Sequence, residues 1–273
     1  MLTRIPEHFH AVDSHNHCWA GRPNCRNVKD GKLDLDYMND TLANADRYGI
    51  ERLGISCPVI TKTVEPEAFR GANDVILQAM ELHPDRFIGY CFVDPNFPRA
   101  AVEEIRRCHR AGMKGIKLYH QKLICDEAQR PIMEVAAELG RPVLMHAGKI
   151  KDEDTQRQQP LLSNAEHFLK ALEMFPNTIL IQAHIGGGGD WEWNLRVLEG
   201  LRNPNYYIDL SGSVCDVGIA RRTVDAVGLD SVLFATDMSF AESVSKVLNS
   251  GFTENELQAL LHDNFTKLEA RLK

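Results

Sequence analysis

The sequence predicts a closed parallel (β/α)8 barrel of the TIM type, an α/β fold formed as one domain over residues 1–273. Three observations lead there. Eight short, β-rich apolar runs recur along the chain, amphipathic segments fill the intervals, and no composition break or Pro/Ser-rich linker divides it. Successive runs start 26 to 43 residues apart, close to the ~30 residues or more of a β-α-β unit.

In chain order the runs are FHAVDSH from residue 9, RLGISCPV from 52, FIGYCFVD from 87, KGIKLY from 114, PVLMHA from 142, TILIQAH from 178, YYIDLS from 206 and VLFATD from 232. Between them, helical spacing covers Asp36 to Tyr48, Ala72 to His83, Ala100 to Ala111, Ile132 to Leu139 and Ala165 to Phe175, and a last helix is expected from Glu254 to Leu272. Gly49, Gly112 and Gly140 each follow such a segment, where a left-handed helix end favours glycine. Cys18 to Leu35 and Lys149 to Pro160 read as the two long irregular insertions, after the first and fifth strands.

Composition narrows the function. With 44% apolar and 25% charged residues the chain is globular, and its 273 residues suffice for a large core. A net charge of -7 gives no general attraction for phosphate backbones, so nucleic acid is not an expected partner. Seven cysteines, odd in number and without Cys-x-x-Cys spacing, read as reduced thiols of a cytoplasmic protein. No export signal and no run of 18 apolar residues is present, so no membrane partner is expected either.

Polar residues end the strands: Asp13, His15 and His17 after the first, Lys117 and His120 on and after the fourth, His146 on the fifth, His184 on the sixth, Asp237 on the eighth. In a barrel these ends meet on one rim, so residues more than 200 positions apart can surround one point. His15 and His17, two apart at a strand end, share a face and have the spacing to bind one ion. Imidazoles and a carboxylate at four strand ends point to a shared metal or catalytic site. The loop after the first strand adds Arg22, Arg26, Lys29 and Lys32, and the loop after the fifth adds Lys149, Lys151 and Arg157. Such a basic rim on an acidic protein suits an anionic small-molecule substrate, with Arg22 or Arg26 as a carboxylate clamp. Cys18 reads as a small buried thiol, Gly186 to Gly189 as a tight loop, and Trp191 and Trp193 as packing or pocket wall.

The segments VDSHNH, MKGIKLYH, PVLMHAG, IQAHIGG and LFATDMSF, with HDNFTKL near the end, resemble the amidohydrolase superfamily and its amidohydrolase-related branch. That branch holds lactonases, hydratases and non-oxidative decarboxylases similar to aminocarboxymuconate semialdehyde decarboxylase. The resemblance spans residues 10 to 268. It implies that His15, His17, His146 and Asp237 coordinate one divalent cation, most often zinc with manganese as another choice, and that His184 stands beside it. In dinuclear relatives a strand-4 lysine is carboxylated to bridge two ions; the mononuclear branch usually lacks this, so Lys117 is expected as a charge near the substrate, with His120 able to donate to it. Relatives often pair as homodimers.

The leading expectation is metal-assisted hydrolysis of a small carboxylated ester, lactone or amide, with Asp237 as the proton acceptor and His184 beside the developing oxyanion. The alternative is non-oxidative decarboxylation or hydration of an unsaturated or aromatic acid, with Asp237 or His184 handling the proton at carbon. Asp13 is expected as an anchor behind the site.

Overall fold

A computed structural model describes residues 3–18, 31–185, 189–212 and 214–272. Eight parallel strands run in sequence order: β1 (Ala11–His17), β2 (Ile50–Ser56), β3 (Phe87–Phe92), β4 (Gly115–Leu118), β5 (Val143–Met145), β6 (Leu180–Gln182), β7 (Tyr206–Asp209) and β8 (Val232–Leu233). Beyond β8 the chain returns to β1, where the Ser14 N–H donates to the Phe234 carbonyl (3.0 Å) and the Asp237 N–H to the His15 carbonyl (2.8 Å). The sheet is therefore a (β/α)8 barrel. Strands covered by helices outside and side chains inside are buried along nearly their whole length, which explains the near-continuous apolar runs.

The barrel floor is packed by Val12, Tyr90, Leu144, Ile181 and Leu233, with Phe265 and Leu268 from the C-terminal segment beneath them. Tyr90 fits because its neighbouring strands carry glycine at its level: a Cβ on Gly54 or Gly115 would collide with the ring.

The first helices follow the expected pattern. In α1 (Leu35–Tyr48) Asp34 caps the start and Gly49, at φ 76°, the end. In α2 (Pro66–Leu82) Pro66 provides the first turn, so the helix begins six residues before the expected Ala72. After α3 (Pro98–Arg110) and α4 (Arg130–Leu139), a short helix α5 (Glu153–Gln158) interrupts the insertion read as irregular. Then come α6 (Ala165–Met174), α7 (Trp191–Leu198), α8 (Ile219–Val227) and α9 (Phe240–Leu248).

The helix expected from Glu254 to Leu272 is present and runs without a break to Ala270, as α10 (Glu254–Gln258), a π-helical turn at Ala259–Asp263, and α11 (Asn264–Ala270). Buried Asn264 follows that turn and its Nδ2 donates to the Leu229 and Val232 carbonyls, both at 2.8 Å, locking the entry to β8. No helix among the described residues is long and apolar enough to cross a membrane.

Two stability predictions follow from this scaffold. Asn264→Ala strips two carbonyls of their partner and should cost roughly 2–4 kcal/mol in urea unfolding. Buried Glu104 accepts from Asn73 Nδ2 (2.9 Å) and from Nε and Nη2 of Arg107 (2.8 and 2.6 Å). Burial raises its carboxyl, but the guanidinium outweighs that and leaves it below 4.5. A depressed carboxyl stabilises above its unfolded pKa and loses that contribution as pH falls through the folded value. Glu104→Gln should thus destabilise by about 1–3 kcal/mol at pH 7 and flatten the acid loss of stability below about pH 4.

Candidate metal centre

The functional residues of β1 lie within the strand rather than after it, as the sequence had suggested, because β1 extends to His17. Asp13 joins its strand to the far end of the barrel. It accepts from the His15 N–H (3.0 Å), Asn16 Nδ2 (2.9 Å), the Thr236 N–H (3.0 Å) and Thr236 Oγ1 (2.6 Å). Burial pushes its carboxyl up to about 7, against these four donors. Asp13 is thus a fastener at the β1–β8 seam, as expected of an anchor.

His15, His17, His146, His184 and Asp237 are brought together at the C-terminal mouth. The Nδ1–H of His15 donates to Asp209 Oδ2 (2.9 Å), and His17 Nδ1 faces Ser56 Oγ (3.1 Å) and the Ser56 carbonyl (3.3 Å). With each Nδ1 so held, both Nε2 atoms face Asp237: Oδ1 lies 2.8 Å from that of His17 and 3.7 Å from that of His15. His184 hydrogen-bonds Ser211 Oγ through Nδ1 (2.7 Å), and its Nε2 lies 3.7 Å from Asp237 Oδ2. His146 sits one step further out, its Nδ1 3.0 Å from His184 Nε2, its Nε2 3.2 Å from Gln159 Oε1, and its ring stacked on Tyr119 at 4.1 Å.

Backbone strain marks the same residues. His184 and Asp237 adopt φ of 63° and 46°, a left-handed region costly for side-chain-bearing residues. Two bonds hold them there: the His184 N–H to Asp209 Oδ1 (2.9 Å), and the Asp237 N–H to the His15 carbonyl.

Electrostatics prepare the donors. Burial is the main cause that lowers His15, His17, His146 and His184, the last to about 4, so all four are neutral at pH 7. For Asp237 and Asp209 burial acts upward, yet His15, with the hydrogen bonds from His17 to Asp237 and from His15 and Ser211 to Asp209, holds both carboxyls well below the usual range, so they are ionised where the imidazoles are neutral. Nε2 of His15, Nε2 of His17 and an oxygen of Asp237 then converge as three ligand atoms that a divalent cation would satisfy together. Donors about 2.1 Å from a tetrahedral ion stand about 3.4 Å apart, between the two separations seen here. His15, His17 and Asp237 make a divalent-metal site, with ligand atoms all within 4.8 Å of one another. A second grouping, His15 with His184 and Asp209, uses the His15 nitrogen already bonded to Asp209, so Asp209 acts there as the orienting carboxylate.

Lys117 is fully buried, not turned to solvent. Its Nζ lies 2.6 Å from His15 Nε2, and burial lowers it to about 8. His120 is buried edge-on to Tyr119, and neither ring nitrogen has a hydrogen-bond partner among the described residues. Arg22, Arg26 and Gly186 to Gly188 lie outside the described residues. Lys149, from the loop after β5, covers the Trp193 ring at 4.1 Å, and Trp191 donates to Asp216. A cavity of about 180 Å³ opens beside the cluster, with His146, His184 and Asp237 on its wall together with Ile185, Val214 and Ile219.

Residues 12–268 match the sequence profile described as Amidohydrolase. The chain belongs to this amidohydrolase family. It is 25% identical over 258 residues to gamma-resorcylate decarboxylase of Rhizobium sp. (strain MTP-10005), covering 76% of this chain and 78% of that one. The fold is similar to the crystal structure of a 2,6-dihydroxybenzoate decarboxylase from Rhizobium, with TM-score 0.73 at 19% identity over 95% of this chain and 98% of that one. It is also similar to 5-carboxyvanillate decarboxylase from Novosphingobium aromaticivorans, complexed with manganese and 4-hydroxy-3-methoxy-5-nitrobenzoic acid: TM-score 0.73, 17% identity, 98% of each chain.

Sequence reasoning passed over Asp209, which orients His15 and braces His184. It carried the same signal as the others, an acid near the end of the run YYIDLS, which Ser211 closes. Gln159 carried none, since isolated polar residues in loops are common. For this amidohydrolase, Asp209→Asn should weaken manganese binding by about 10- to 100-fold in calorimetric titration. Combined His15→Ala and His17→Ala should abolish it, and full retention by the double variant would refute the ligand assignment.

Proposed function

We propose that this amidohydrolase is a metal-dependent, non-oxidative decarboxylase of a small aromatic or unsaturated carboxylic acid. The observation that carries the reading is the placement of Asp237, with one oxygen in the His15–His17 cluster, the other toward His184, and the cavity beside both. Of the two reactions expected from the sequence, the matched decarboxylases support this one over hydrolysis.

His15, His17 and Asp237 would hold the cation, while His146, the fourth ligand that the resemblance implies, stands outside this group against His184 and Gln159. When bound, a divalent ion supplies Lewis acidity that fixes and polarises the oxygens of the acid. The nitrogen and oxygen donors suit manganese as well as zinc.

Asp237 begins ionised and His184 neutral, so this pair takes a proton from the substrate or solvent and passes it to the carbon bearing the carboxylate. The carbon–carboxylate bond then breaks, its electron pair stays with the carbon skeleton, and carbon dioxide leaves. The carboxylate loses its charge in that step, which the apolar wall of Ile185, Val214 and Ile219 favours. Lys117, beside His15, places positive charge behind the substrate, and the unpartnered nitrogens of His120 suit a substrate oxygen. The described cysteines are free thiols, which supports a reducing, cytoplasmic setting.

The test is release of labelled carbon dioxide from carboxyl-labelled 2,6-dihydroxybenzoate and related hydroxylated acids by manganese-loaded protein. Asp237→Asn should reduce kcat by at least about 100-fold. Cleavage of lactones with incorporation of one solvent oxygen, and no carbon dioxide from any acid, would replace this reading with hydrolysis.

A further inference from the structure

Lys246, on α9, lines the same cavity although it belongs to none of the strand ends that form the metal site. It is 8% exposed, and its Nζ donates to the carbonyls of Leu210 and Gly212, each at 3.0 Å. An ammonium has three N–H groups, so one remains. Burial works against the charge, while Cys215, Asp209 and Glu242 favour it, and among the described residues no carboxylate lies at ion-pair distance. Among the described residues on the cavity wall, Lys246 is the one lysine or arginine. Ser211 and Ser239 give the wall further polar groups, and Ile185, Val214 and Ile219 make it apolar elsewhere.

A tether between α9 and the chain after β7 needs hydrogen-bond donors but no charge. Keeping a cation out of water without a close counter-ion is costly, and an incoming anion removes that cost.

We propose that Lys246 is the carboxylate-recognition residue of this cavity, its remaining N–H taking an anionic oxygen of the substrate and selecting acids over neutral analogues of the same shape. The inference rests on the reading of the site as one for small acids, and deepens it. The space is modest: about 180 Å³ is the liquid volume of roughly six waters, which fits a single ring or a short chain.

The experiment titrates benzoate and benzamide into manganese-loaded wild type, Lys246→Gln and Lys246→Met, with calorimetric detection and metal analysis of each protein. Glutamine retains N–H donors for the two carbonyls and lacks the charge; methionine lacks both. Wild type should prefer benzoate. Both variants should lose roughly 10- to 100-fold in benzoate affinity while keeping their metal content and their affinity for benzamide. Should the methionine variant not fold, the glutamine variant decides alone.

Benzoate affinity at the wild-type level in Lys246→Gln would make the lysine a tether only, and a wild type that ignores benzoate or prefers benzamide would equally overturn the proposal. Lys246-dependent benzoate binding in a protein that decarboxylates no acid would remove the decarboxylase reading and leave this one. Decarboxylation with unchanged benzoate affinity in both variants would do the reverse.

Discussion

Metal-ligating atoms held close together at the mouth of a barrel are the constraint on which this site depends. Nε2 of His17 and of His15 and both oxygens of Asp237 converge within a few ångströms, at a place where burial keeps the imidazoles neutral and the carboxylate stays ionised. Lys117 meets only the His15 side of the cluster. A divalent cation would engage all three ligand atoms at once, which is the physical sense in which the cluster is a metal site.

Holding that arrangement takes a scaffold that tolerates strain. His184 and Asp237 occupy left-handed backbone conformations, and the groups that keep them there are themselves parts of the site: the Asp209 carboxylate and the His15 carbonyl. Asp209 also fixes the His15 ring, so one residue couples ring orientation on β1 to backbone geometry after β6. Asp13 performs the matching task across the β1–β8 seam. Meanwhile Phe265 and Leu268 fill the floor of the barrel. Rigidity at one end of the cylinder allows chemistry at the other.

The cavity divides its chemistry by element. Strand ends supply the metal donors and the Asp237–His184 pair, whereas α9 supplies a cation and the loops after β6 and β7 supply apolar surface.

Much of this was legible in the amino-acid order. Period and spacing define eight strands, because a strand covered on both faces must be apolar nearly throughout, and they place His15, His17, His146, His184 and Asp237 on one rim. Finer detail was less legible: β1 runs on through polar residues because the seam with β8 satisfies them, and the C-terminal helix widens into a π-helical turn just before Asn264, which bonds to β8. Only the tertiary structure revealed that Asp209 is the hinge of the site, that Lys117 lies against His15, and that Lys246 reaches the cavity from α9, a helix outside the segments that the spacing marked. Periodicity reports which face of an element is buried. It carries no information about which buried polar groups from different elements will meet, since that depends on how far the cylinder's curvature brings them together.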